Sequence, residues 1–134
     1  MLYAGGTSTR AETPKKVLIV DRDKFWGPSM NLALEETGYY LNWVTDPSEG
    51  RRRVIERVYD LVVLSDSLGQ PAIASILATV ARSPRPPAVL LLANGERPAQ
   101  PGLSVVRRPC NVNDVVDEAR RLVGTPGGNQ RKGA

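Results

Sequence analysis

The chain has 134 residues, which is typical of one domain, and carries 18 basic and 14 acidic side chains. It has one cysteine and no histidine, which excludes an internal disulfide, Ser-His-Asp or Cys-His catalysis and histidine metal sites. No apolar run approaches the length of a membrane span, and the first residues lack the apolar core of a signal peptide. We therefore expect a cytoplasmic protein, and nothing in the sequence indicates a cofactor.

The net charge of +4 is weak support for a nucleic-acid partner. Residues 15–124 contain 15 basic and 13 acidic side chains, and Arg131 and Lys132 supply the rest of the excess. A small excess of this kind is ordinary for a soluble domain, so we expect no basic nucleic-acid-binding face.

The composition divides the chain into three parts. Residues 1–14 are polar, rich in Gly, Ser and Thr, and without periodicity, which predicts a disordered lead. Residues 125–134 predict a disordered basic tail in the same way. The domain is expected to occupy residues 15–124.

Five short apolar segments have the composition of β-strands. Four are nearly continuous aliphatic runs, which is typical of strands buried on both faces in a parallel sheet. The segment 40–45 alternates more and fits an edge strand. The predicted strands cover residues 16–20, 40–45, 60–64, 87–93 and 103–106.

Helical periodicity fills most of the sequence between these strands. Start and stop signals, such as Pro47 and Gly38, bound the periodic segments. The alternation of strand and helix indicates a three-layer, doubly wound α/β domain around a parallel five-stranded sheet. The predicted helices cover residues 28–37, 47–58, 71–82 and 113–123.

The connection between the fourth and fifth strands is short. Only nine residues, 94–102, separate them, and these include two prolines and two glycines. A parallel crossover normally needs about a dozen residues or more. We therefore expect an irregular crossover in place of a full helix.

Residues 16–122 resemble the receiver domain of bacterial response regulators. KKVLIVDRD is similar to the first strand with its acidic cluster, YDLVVL to the third strand, and VVRRPC to the fifth strand with its Lys-Pro step. The resemblance implies the strand order 2-1-3-4-5, here with the fourth helix shortened or absent. It also implies a role in two-component signal transduction.

Receiver domains carry a phosphoryl group on an aspartate beside Mg²⁺, and the positions that serve this chemistry are altered here. The resemblance places Asp21 at the first acidic position and Arg22 at the second, which usually binds the metal. It places Ser65 at the phosphoacceptor, Leu92 at the switch hydroxyl and Arg108 at the lysine.

These substitutions predict a degenerate phosphorylation site, as in a pseudo-receiver, with no catalytic residue and no metal. Arg22 puts a cation where Mg²⁺ would lie, and Ser65 removes a carboxylate that would bind metal and accept phosphate. Leu92 has no group that can hydrogen-bond a phosphoryl oxygen. We expect protein groups to occupy the site, with Arg108 or Arg22 pairing with Asp21.

Two other groups are candidates for partner binding. Phe25 and Trp26 precede a Gly-Pro step, which predicts a loop above the altered site, with the rings either exposed as anchors or folded over the site. Arg51, Arg52 and Arg53 form a basic patch on the second helix, for which a solvated helix face is the alternative.

The leading functional hypothesis is a stand-alone pseudo-receiver, not an enzyme, that binds another signalling or localisation protein without phosphorylation. A first alternative is an atypical phosphorylatable receiver that uses Asp66, although a shift of one position along a strand reverses the direction of a side chain. A second alternative is a nucleic-acid accessory protein that uses the basic patch and the tail. The sequence neither indicates nor excludes a homodimer.

Overall fold

The protein is described by a computed structural model, which covers residues 14–23, 26–95, 100, 102–107 and 111–124. The predicted terminal segments, apart from Pro14, lie outside these ranges. So do two of the candidate residues, Phe25 and Arg108.

Five parallel strands form one sheet in the order β2-β1-β3-β4-β5. In chain order they are β1 (Lys16–Val20), β2 (Tyr40–Val44), β3 (Leu61–Ser65), β4 (Ala88–Ala93) and β5 (Leu103–Arg107). The pairing aligns Val20 with Leu64 and Ser65 with Leu92. The carboxyl ends of β1, β3 and β4 therefore meet at one edge of the sheet.

Four α-helices cover the two faces of this sheet in the described ranges. They are α1 (Trp26–Glu36), α2 (Pro47–Glu56), α3 (Gln70–Ala81) and α4 (Val112–Val123). A short 3₁₀ turn, Asp66–Leu68, lies between β3 and α3. The element order and the sheet topology confirm the predicted doubly wound α/β fold.

Two apolar clusters pack on opposite faces of the sheet. One joins β1 and β3 to α2 and α3 through residues such as Leu18, Val54 and Ile76. The other joins the same strands to α1 and α4 through residues such as Ile19 and Val115. Side chains alternate across a strand, so successive residues of each central strand enter different clusters. This explains why the central strands are apolar without interruption.

The first helix differs from the prediction, because it begins at Trp26 and not near Pro28. Trp26 is therefore a helical residue and does not lie in a loop. Proline is tolerated in a first helical turn, where its missing N–H would have no partner in the helix, so Pro28 does not delay the start.

The crossover from β4 to β5 agrees with the expected irregular connection. Its described residues, Asn94, Gly95, Gln100 and Gly102, lie outside any helix. Gln100 forms an isolated antiparallel bridge with Leu103 at the start of β5. The described part of this segment thus holds no fourth crossover helix.

Helix α2 lies unusually close to β1 at Gly50. A Cβ atom at this buried position would be 2.8 Å from Cγ2 of Val20. The glycine lets the helix backbone approach the last residue of β1, just before Asp21. This contact positions the N-terminal half of α2 beside the candidate site.

Within the described part of the chain, no helix combines the length and the apolar character that a membrane crossing requires.

Candidate functional site at the carboxyl end of the sheet

Asp21 and Ser65 lie at the sheet edge where the central parallel strands end. Asp21 directly follows β1, and Ser65 is the last residue of β3. Both are completely buried. Sites in open α/β sheets lie beyond the carboxyl ends of the strands, so this edge is the candidate functional site.

Asp21 is held by hydrogen bonds from neighbouring protein groups. Its Oδ1 accepts from the main-chain N of Asp23 at 2.9 Å and from Oγ of Ser67 at 3.1 Å. Its main-chain carbonyl accepts from Nε1 of Trp43 at 3.2 Å, and its N–H donates to the carbonyl of Val44 at 3.1 Å. A buried carboxylate needs such donors, since burial without them is costly.

Ser65 has a local structural role. Its hydroxyl oxygen accepts a hydrogen bond of 3.1 Å from the main-chain N of Ser67, and this bond caps the 3₁₀ turn. Serine commonly bonds to the backbone two residues ahead in this way. The position that the resemblance assigns to a phosphoacceptor is therefore a buried neutral hydroxyl.

Asp66 begins the 3₁₀ turn and is partly buried. Its Oδ2 accepts a hydrogen bond of 2.9 Å from the main-chain N of Asn94, the residue that follows β4. The carboxylate thus links the ends of β3 and β4. The hypothesis that Asp66 is a displaced phosphorylation site stays a prediction.

Leu92 lies in β4 opposite Ser65 and is completely buried. Its side chain belongs to the apolar cluster that packs against α1 and α4. It supplies a packed aliphatic group at the position that the resemblance assigns to a hydroxyl.

Arg22 is exposed, and it lines a cavity between α2 and α3. Its main-chain N donates to Oγ of Ser67 at 3.3 Å. The predicted partnership of Asp21 with Arg22 or Arg108 stays a prediction, because Arg108 lies outside the described residues.

The predicted basic patch divides into two parts. Arg52 and Arg53 pair with Glu49, with 2.9 Å between Nε of Arg53 and Oε2 of Glu49. The hydrogen bond from Arg53 is the main cause that lowers the pKa of Glu49. Arg51 instead donates from Nη1 to Oγ of Ser75 on α3, at 3.0 Å. Arg51 therefore belongs with Arg22 at the cavity and not with its neighbours.

The residues at this edge do not fit the Mg²⁺ ion of receiver domains. Mg²⁺ prefers an octahedral shell of oxygens that includes one or two carboxylates. Oδ1 of Asp21 already accepts two hydrogen bonds, and the neighbouring positions hold Arg22 and Ser65. The described ranges also bring no three Asp, Glu, Cys or His side chains into a metal-binding group.

Ser67 joins several residues of the site, although the sequence does not indicate this role. It contacts Asp21, Ser65 and the backbone of Arg22. The Ser-x-Ser spacing of residues 65 and 67 is a signal for a local turn. The contact with Asp21 has no such signal, because it joins residues 46 positions apart.

No protein-family model matches the chain, and no curated protein sequence matches it. Solved structures do match. A response regulator receiver domain protein from Bacillus halodurans C-125 gives a TM-score of 0.71 at 21% identity, over 81% of this chain and 97% of that one. A CheY-like receiver domain protein from Methanospirillum hungatei JF-1 gives 0.67 at 18% identity, over 80% and 91%.

A third match is the receiver domain of a sensor histidine kinase from Pseudomonas aeruginosa PAO1, which has magnesium coordinated in its active-site cleft. Its TM-score is 0.72 at 15% identity, over 83% of this chain and 98% of that one. The chain therefore has the fold of a response-regulator receiver domain.

Proposed function

We propose that the protein is a pseudo-receiver, a signalling module that acts in the cytoplasm by binding another protein without being phosphorylated. The observation that carries this proposal is the burial and hydrogen bonding of Ser65. Ser65, which the resemblance places at the phosphoacceptor position, is completely buried, and its hydroxyl caps the turn that follows β3. A group with this role is neither a carboxylate nor open to a phosphodonor.

The charges and contacts around Ser65 support the same proposal. Phosphoryl transfer depends on positioning and on cations that neutralise the transferred group, which in receiver domains means a bound metal. Here Asp21, the fully buried carboxylate at this edge, is engaged by Ser67 and the backbone. Leu92, which is buried, has no hydroxyl that could hydrogen-bond a phosphoryl oxygen. A phosphoryl group at this edge would therefore lack both a bound metal ion and a hydroxyl that responds to it.

The expected partner is another signalling or localisation protein. Two of the similar structures are receiver domains of a sensor histidine kinase and of a hybrid histidine kinase, so proteins of a two-component-like pathway are the first to test. Without a phosphorylation switch, the affinity for such a partner would be independent of phosphodonors. The nucleic-acid alternative gains no support, since Glu49 engages Arg52 and Arg53.

The proposal is tested by ¹⁵N-labelled NMR spectra of the full chain, alone and with Mg²⁺ plus acetyl phosphate. We expect the resonances of Asp21, Ser65 and Asp66 to stay in place beyond the general effect of salt. Saturable shifts centred on these residues would overturn the proposal. Acetate with Mg²⁺ serves as the matched control for ionic strength.

A further inference from the structure

A cavity of about 350 Å³, with both polar and apolar lining, opens between the first turns of α2 and α3. Its polar lining comes from three separate elements: Arg22 after β1, Ser48 and Arg51 on α2, and Ser75 on α3. Asp46, just before α2, also lines it. The volume lies in the range of small-molecule sites, which is about 300–1,000 Å³.

Arg22 and Arg51 are the basic residues that line this cavity. Among the described residues neither Arg22 nor Arg51 makes an ion pair, whereas the adjacent Arg52 and Arg53 are paired with Glu49. The hydrogen bond to Ser75 holds the Arg51 side chain in place. It uses only one of the five N–H donors of the guanidinium group. Arginine is well suited to phosphate because its planar donors match two phosphate oxygens at once.

Asp46 and the apolar lining of the cavity suit a hydroxyl-bearing ligand. Asp46 is exposed, and its carboxylate does not cap α2, so it faces solvent at the cavity rim as an acceptor. It would repel a bare anion but would accept hydrogen bonds from hydroxyl groups. Pro47, Pro71 and Ile76 add apolar wall against which a ring can pack.

We propose that this cavity binds a phosphate monoester with neighbouring hydroxyl groups, as in a sugar phosphate or a nucleotide. The phosphate would lie between Arg22 and Arg51, and Asp46 would accept from the hydroxyls. This inference goes beyond the proposed function, because it gives the module a non-covalent small-molecule signal at the edge where other receiver domains are phosphorylated.

The test is a ¹⁵N NMR titration of the full chain with ribose 5-phosphate, adenosine 5′-monophosphate, inorganic phosphate and adenosine. We expect saturable shifts of the Arg22, Ser48 and Ser75 amides with at least one of the two esters and none with adenosine. The ester that binds more tightly identifies the source as a sugar phosphate or a nucleotide. Binding of inorganic phosphate alone, or of no probe, would overturn the proposal.

Substitutions make the test specific to the cavity. Arg22→Gln and Arg51→Gln should each weaken binding of the ester by about tenfold or more, as for the loss of a charged hydrogen bond. Arg52→Gln is the matched control and should leave affinity unchanged, since Arg52 pairs with Glu49. Arg51→Gln also removes the bond to Ser75, so Arg22→Gln, at an exposed position, keeps the test independent of folding. Equal affinity in wild type and Arg22→Gln would contradict the site.

Discussion

The hydroxyl of Ser67 donates a hydrogen bond of 3.1 Å to Oδ1 of Asp21, across 46 positions of sequence. The bond joins the end of β1 to the 3₁₀ turn after β3. It gives the buried carboxylate a structural partner at the carboxyl end of the sheet.

Removal of this hydroxyl tests its structural role. Ser67→Ala deprives Asp21 of a donor and the main-chain N of Arg22 of an acceptor. Asp21 keeps its hydrogen bond from the main-chain N of Asp23, so we expect the free energy of unfolding to fall by about 0.5–1.5 kcal/mol, the usual net contribution of one hydrogen bond. Urea denaturation measures it, with Ser29→Ala, at an exposed position on α1, as the control that should lose no stability. Equal stability of the two variants would show that the Ser67 bond contributes nothing.

The close approach of α2 to β1 predicts a second stability effect. In Gly50→Ala the new Cβ would lie 2.8 Å from a Val20 methyl group, and β-branched valine has little freedom to move aside. Overpacking costs about 1–3 kcal/mol, against a gain of up to about 1 kcal/mol in helix propensity. We expect net destabilisation in urea melts.

Gly95→Ala is the control for this substitution, because no atom lies within 4 Å of its added Cβ. Its unfolding free energy should stay within about 0.5 kcal/mol of wild type. If Gly50→Ala were more stable than wild type, the two elements would be further apart than the structure shows.

The pair of Glu118 and Arg121 on α4 predicts a pH dependence. Nε of Arg121 donates to Oε1 of Glu118 at 3.0 Å, and this hydrogen bond is the main cause that lowers the pKa of Glu118. A lowered carboxyl pKa stabilises the fold at pH values above the unfolded pKa, which is about 4.3, and the contribution is lost as pH falls through the folded pKa. Arg121 is largely exposed, so the gain from this surface pair is small.

Glu118→Gln should therefore be slightly less stable than wild type at pH 7, and the difference should disappear in acid, once this carboxyl is protonated in both the folded and the unfolded chain. Denaturation at pH 7 and in acid measures this difference. Asp117→Asn, whose parent carboxylate is more exposed and 4.0 Å from Arg120, is the control. A difference that persisted at low pH would assign the effect to something other than ionisation.

The central strands could be predicted from the sequence to within one residue, because strands buried on both faces are apolar without interruption. The start of α1 could not be predicted, because a proline such as Pro28 can occupy the first helical position or a later position of the first turn. The 3₁₀ turn could not be predicted either, because it is stabilised by a hydrogen bond that the Ser65 hydroxyl accepts and not by a periodic pattern.

For the site, the type of residue at each altered position could be read from the sequence, but its partners could not. The contact of Ser67 with Asp21 and the cavity between Arg22 and Arg51 depend on how separate elements pack. Within the run of three arginines, only packing distinguishes Arg51, which bonds to α3, from its ion-paired neighbours.

Restoration of the acceptor carboxylate alone should not restore phosphorylation. In Ser65→Asp the new side chain would be buried at the same edge as Asp21, while Arg22 and Leu92 would remain at the positions that the resemblance assigns to a metal ligand and to the switch hydroxyl. We expect no labelling by acetyl phosphate with Mg²⁺, measured by intact-mass spectrometry. Ser65→Asn is the uncharged control. Efficient labelling of Ser65→Asp alone would show that the rest of the site is competent.

The proposed function requires that the wild-type protein act without phosphorylation, and intact-mass spectrometry measures phosphorylation. The full chain is incubated with Mg²⁺ and acetyl phosphate beside a receiver domain of known activity. We predict that the mass of this protein stays unchanged while that of the active domain increases by one phosphoryl group. An equal increase in this protein, lost in Asp66→Asn, would contradict the account and identify Asp66 as the acceptor.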